Sequence, residues 1–192
     1  GDDAVRAALH RAFICCDHRC RLDKGGTCVV VALLLGDDLF VSSAGDCRAI
    51  LDRDGDETWT WSRGCAPSAD ATAGRFAGGV VALSRDHRPS GAEAARVLAA
   101  GGRVFTLPGE SEPRVAARSG KGGLRVARAL GHGGSYPGVI PDADVVGPAR
   151  LSGRDATLTL VTDGVSDRLS DDAVARILRD TCPEPHLGPK AL

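Results

Sequence analysis

The segment LTLVTDGVSD, residues 158–167, runs an apolar, β-branched stretch straight into Asp163-Gly164. A carboxylate at the point where a buried strand stops stands at the rim of a sheet. The Gly behind it lets the backbone turn tightly, because it has no Cβ. Hard divalent cations are held by carboxylate oxygens that converge from several such strand ends. A second rim carboxylate, Asp46, lies in AGDCR (44–48), where two extended segments are interrupted. His132 lies in the flexible run GHGG (131–134), and neutral imidazole is a common metal ligand. Asp163, Asp46 and His132 are therefore the candidate metal ligands. Singly, each has a plainer reading as a turn carboxylate or an inert loop histidine. The sequence singles out no catalytic nucleophile and no substrate-binding residue.

Two other patterns invite chemistry and carry less of it. CCDHRC places Cys15, Cys16, His18 and Cys20 together, but no second ligand pair follows at finger-like spacing. Thiols on a helix are the expectation there rather than a structural zinc. RSGKGG (118–123) is only loosely like a phosphate-binding loop, since Lys121 precedes Gly rather than Ser or Thr.

The elements that must position these residues follow from periodicity. Residues 3–14 pattern as a helix. Cys28–Leu35 reads as a fully buried strand, Leu39–Ser43 as a second and Cys47–Leu51 as a third, with turns at 36–38 and 52–55. The expectation is an antiparallel meander over Cys28–Gly55. Residues 56–79, with Trp59 and Trp61, read as a loop insertion and a place for partner contacts; Val80–Leu83 returns to strand. Ser90 and Glu93 have capping-box spacing ahead of a short helix that Gly101-Gly102 ends. Residues 106–123 pattern as a Gly- and Pro-rich loop, and 124–130 fits strand or helix equally. Ala156–Thr162 reads clearly as a strand. A last helix starts at the cap Ser170 and buries Val174, Ile177 and Leu178. Strands outnumber helices without strict alternation, which makes the fold class α+β. A single domain over 1–182 with a flexible tail, 183–192, is expected.

The 192 residues carry a net charge of −1 and 43% hydrophobic residues, enough for one well-packed domain. Neither a nucleic-acid nor a membrane partner is indicated, because both charge signs are interspersed and the longest apolar run is strand-sized. The odd count of 7 Cys, mostly among apolar neighbours, fits reduced thiols in the cytoplasm or nucleus.

In chain order, GGTCVVVALL, LFVSSAGDCRAIL, LSRDHRP, AAGGRVF, LRVARALGH, GVIPDADV and LTLVTDGVSD resemble successive motifs of the metal-dependent protein phosphatases of type 2C. The family's counterparts include G-S-T-A, N-x-G-D-S-R-A, L-S-x-D-H-K-P, S-R-A-L-G-D and S-D-G-L-W-D. The resemblance runs from about Gly25 to Leu178. It implies a central antiparallel β-sandwich flanked by helices, and Mg²⁺- or Mn²⁺-dependent hydrolysis of phosphoserine and phosphothreonine in a phosphoprotein substrate. Under it, Asp163 stands at a metal-ligand position, Asp46 near a weaker third metal, and Arg128 at a structural Arg. His132 stands where the family has a ligand Asp, and Ser166 where it has Trp. No D-G-H-G-G motif, which supplies the bridging Asp, lies ahead of the first helix. The expectation is an incomplete, partly degenerate copy that is inactive or very weak as it stands, or else a pseudophosphatase acting as a protein-binding or regulatory module.

Overall fold

A computed structural model describes residues 1–20, 25–53, 79–151 and 155–181. Most of the expected insertion, with Trp59 and Trp61, and the tail 183–192 lie outside the described residues.

The chain opens with α1 (Asp2–Cys20), longer than its periodicity suggested. Asp2 and Asp3 in its first turn and His18 and Arg19 in its last complement the helix dipole. The helix lies on one face of a sheet and inserts Phe13 into a cluster with Ala44, Leu130 and Ala143.

Two three-stranded sheets make the centre. The first has the order β1 (Val29–Leu35), β2 (Asp38–Ala44), β8 (Asp144–Arg150); the second has β4 (Val80–Ala82), β3 (Arg48–Arg53), β9 (Asp155–Val161). All their pairings are antiparallel. Leu39, Val41 and Ala149 from the first sheet meet Ala49, Leu51 and Val81 from the second, and all are buried. The expected sandwich is present.

Two expectations about these strands are corrected. β1 is an edge strand and is only half-buried; Leu34 and Leu35 are exposed. An apolar run alone cannot tell an edge strand from a central one. The meander also fails, because β3 does not pair with β2. The turn Gly45-Asp46 carries the chain from one sheet to the other, where β3 takes its place between β4 and β9.

A third, small sheet was not foreseen: β5 (Val104–Thr106), β6 (Pro113–Ala116) and β7 (Gly123–Leu124). β6 lies wholly in the segment expected to be loop, and β7 straddles its end. Their inner residues Val104, Val115 and Leu124 pack with Val97 of α2 (Gly91–Ala99) and with Val126, Ala127 and Val139. Residues 125–130 extend beyond β7 and close by bridges from Leu130 to Thr27 and from Arg128 to Ile140.

α2 begins after Ser90, yet the Ser90 side chain makes no capping bond. Glu93 is turned inward, where it takes Arg96 and Arg128 instead of the helix N-terminus. The helix ends at Gly101, whose φ of 79° is open to glycine without strain. β9 runs into α3 (Asp163–Ser166), and α4 (Asp171–Thr181) follows. Ser170 Oγ accepts from Ala173 N at 3.2 Å, as its cap position predicts. α4 buries Val174 and Ala175, whereas Ile177 is 44% exposed, so its inward stripe is narrower than expected.

Candidate functional site

The sheet-crossing turn decides where Asp46 points. Gly45 sits at φ 114°, and a Cβ there would overlap the Cys28 side chain on β1's approach. Its amide donates to His87 Nδ1 at 3.1 Å, and its carbonyl accepts from His87 N at 2.9 Å. His87 is fully buried, and its Nε2 lies 3.1 Å from Asp144 Oδ2. Nδ1 can accept from Gly45 only when the ring's proton is on Nε2, the nitrogen that faces Asp144. Asp144 is anchored in turn by Arg85 and by Arg128 Nη1 at 2.8 Å. Burial opposes its ionisation, but hydrogen bonds from His87 and Arg85 hold its carboxyl well below the usual range. Glu93, 7% exposed, joins the same network through Arg128 Nε at 2.9 Å and Arg96 Nη2 at 2.7 Å.

Asp46, so positioned, is buried and lies within electrostatic reach of Asp163. Burial raises its pKa, and the negative charge of Asp163 raises it further, against the hydrogen bond from Cys28 and the charge of Arg88. Asp163 itself is exposed, at the first turn of α3, where β9 has just ended. The structure thus brings two of the three predicted residues together. Cys28, half-buried beside Asp46, has its thiol pushed up to about 12, chiefly by desolvation, and stays protonated.

His132 is placed elsewhere. Its ring packs against Gly26 and meets Tyr136 edge-on at a centroid distance of 5.4 Å. Its Nδ1 is buried with no hydrogen-bond partner among the described residues. Burial alone lowers its pKa, with no carboxylate contributing, so the ring is held neutral. The loop before it is pinned by Asp17 of α1, which accepts from Gly131 N at 2.7 Å.

Sequence reasoning missed Arg88. It is mostly buried, and it reaches Asp46 Oδ2 at 3.2 Å, Asp167 Oδ1 at 2.9 Å, Glu112 Oε2 at 3.4 Å and Asp86 Oδ2 at 3.7 Å. Beside it, Arg48 holds Asp86 at 2.8 Å and Asp171 at 3.3 Å. The only signal was the basic residue in LSRDHRP, which periodicity does not flag.

These residues do not fit a pair of hard dications. Asp46 spends an oxygen on the protein's own guanidinium, and an imidazole, which suits Mg²⁺ poorly, stands at 132. Among the described residues no three His, Cys, Asp or Glu side chains converge to hold a metal ion. The described part of the Cys15, Cys16 and His18 patch likewise gathers no ligand set, and both thiols are exposed on α1.

A model of the family "Protein phosphatase 2C" matches residues 3–187. "Probable protein phosphatase 2C 12" of Oryza sativa subsp. japonica is 32% identical over 94% of this chain and 44% of its own length. "Protein phosphatase 2C 77" of Arabidopsis thaliana is 33% identical over 80% of this chain and 29% of its own. The chain therefore spans less than half the length of these curated relatives. Among solved structures, a serine-threonine phosphatase 2C from Toxoplasma gondii superposes with a TM-score of 0.69 at 21% identity, over 93% of this chain and 55% of that one. A C. elegans sex-determining protein gives 0.68 at 21%, over 91% and 38%. The two structures speak for the same α+β fold, and with the family match and the plant relatives they place this chain in the protein phosphatase 2C family.

Proposed function

We propose that the 192 residues carry the sheet core and one rim ligand, Asp163, of a phosphoserine/phosphothreonine phosphatase domain, and that they do not by themselves hydrolyse phosphoesters at a useful rate. The family reaction depends on Mg²⁺ or Mn²⁺, and a phosphoprotein is the substrate class that goes with it. The observation that carries the reading is the ligand set: His132 stands where the resemblance places a ligand Asp, and among the described residues no three His, Cys, Asp or Glu side chains converge to hold a metal ion. The test is turnover of a phosphothreonine peptide by the purified chain in Mn²⁺. No turnover above the Asp163→Ala variant is expected; turnover that this substitution abolishes overturns the reading.

A second reading is a pseudophosphatase that serves as a protein-binding or regulatory module. His132 favours it, since a neutral, packed ring at a ligand position stabilises the loop rather than a dication. A cytoplasmic or nuclear location suits either reading. No helix among the described residues is long and apolar enough to cross a membrane.

A further inference from the structure

Side chains of a strand alternate between its two faces. In the small sheet, Val104, Val115 and Leu124 point to the core, so Arg103, Phe105 and Leu107 must share the outward face of β5 and its approaches. The register sets Phe105 opposite Arg114 and Ala116 opposite Gly123 on that same face. An outward face is expected to be polar. This one has an apolar floor of Phe105, Leu107 and Ala116, and Leu107 is 41% exposed. The Phe105 ring lies across Gly123, where an added Cβ would stand 2.8 Å from Cε1. The β6–β7 turn leaves the floor open, since Gly120 and Gly122 take φ of 76° and 82° and carry no side chains over it. The result is a groove of about 520 Å³.

Its rim is cationic. Arg114 is neutralised by Glu110, through bonds of 2.9 Å to both carboxylate oxygens. Arg103 lines the groove and is exposed; Lys121, in the turn between the lining Gly120 and Gly122, is exposed beside it, and neither has an acidic partner among the described residues. We propose that this groove docks a short acidic peptide segment of a partner protein, with an aliphatic side chain on the Phe105–Leu107 floor and carboxylates against Arg103 and Lys121. The volume suits a few side chains rather than a globular surface. Two unpaired cations beside an apolar floor match alternating acidic and aliphatic residues by charge and by hydropathy. A nucleic acid would need a longer basic track and would leave the floor uncovered. The groove is built without Asp46, Asp163 or Arg88, so the inference stands apart from the phosphatase reading.

Fluorescence anisotropy of the full chain with a labelled peptide of alternating Leu and Asp tests it, against Leu/Lys and Ser/Asp peptides of equal length. The Leu/Asp peptide is expected to bind about tenfold more tightly than either control. Arg103→Glu combined with Lys121→Glu is expected to weaken it about tenfold. Leu107→Ser, at an exposed position where folding is not at stake, is expected to weaken it without changing the charge. Equal binding of the Ser/Asp peptide, or full competition by inorganic phosphate, would make the groove a general anion patch and overturn the proposal. Indifference to both sets of substitutions overturns it too, as does a dimer of the chain that Leu107→Ser dissociates.

Discussion

Arg88 Nη1 lies 3.2 Å from Asp46 Oδ2, and the same guanidinium reaches Asp167 Oδ1 at 2.9 Å. The cation therefore ties the sheet-crossing turn to the segment just after α3, so that one side chain holds the two halves of the rim together. Asp46 and Asp163 repel each other across this gap, and Arg88 offsets that repulsion.

Arg88→Ala leaves a buried carboxylate without its partner, and such losses cost about 3 kcal/mol or more. Urea unfolding at neutral pH is expected to show a loss of that order. Arg88→Lys keeps the charge but cannot span four carboxylates, so it should recover only part of it. A change below about 0.5 kcal/mol in the Ala variant would show that the network is solvent-screened and structurally idle.

Gly45→Ala sets a Cβ against Cys28 and forces a left-handed backbone on an L-residue. Strain of this kind costs about 1–3 kcal/mol before any overlap is counted. Adding Cys28→Ala removes the overlap with Sγ, leaves the residue-28 Cβ 2.5 Å from the added Cβ, and does not touch the backbone strain. The double variant is therefore expected to melt between the single Gly45→Ala variant and the wild type, which differential scanning calorimetry would resolve.

The Asp144 carboxyl is held below its ordinary value, so its contribution has a definite sign in pH. The stability it adds is complete above the unfolded-state carboxyl pKa, about 4, and is lost as pH falls through the lower folded value. Asp144→Asn is expected to be destabilised at pH 7, and the gap to wild type should close progressively below about pH 4. A gap independent of pH down to acid unfolding would mean that the loss is steric rather than electrostatic.

Much of the site could be read from the chain, because its physics is local. Asp163 follows a strand of apolar and β-branched residues and Asp46 follows Leu39–Ser43, so both had to lie at strand ends, and strand ends at one edge of a sandwich converge. The crossing at Gly45 was not readable. A glycine with positive φ looks the same in sequence whether it makes a bulge within a sheet or a turn between two, and only the β3–β9 pairing decides. The small sheet was hidden because its strands are two to four residues long and are set among Gly and Pro. Pairing distant short segments depends on the core that Val97 and Val115 share, which no window of sequence contains. Arg88 escaped for a related reason: an arginine in a non-helical segment has no period, and its role comes entirely from carboxylates brought to it from Asp46, Asp86, Glu112 and Asp167. His132 was legible as a departure from the family motif, but its packing on Gly26 and Tyr136 was not.

The described rim sets one exposed carboxylate, Asp163, near a second, Asp46, that pairs with Arg88, and gathers no third ligand for a dication pair. Calorimetric titration of the 192-residue chain with Mn²⁺, beside Asp163→Ala, tests this most directly. The account predicts no saturable binding tighter than about 1 mM, and no difference between the two proteins. Micromolar binding of paired Mn²⁺ ions that Asp163→Ala abolishes would contradict it.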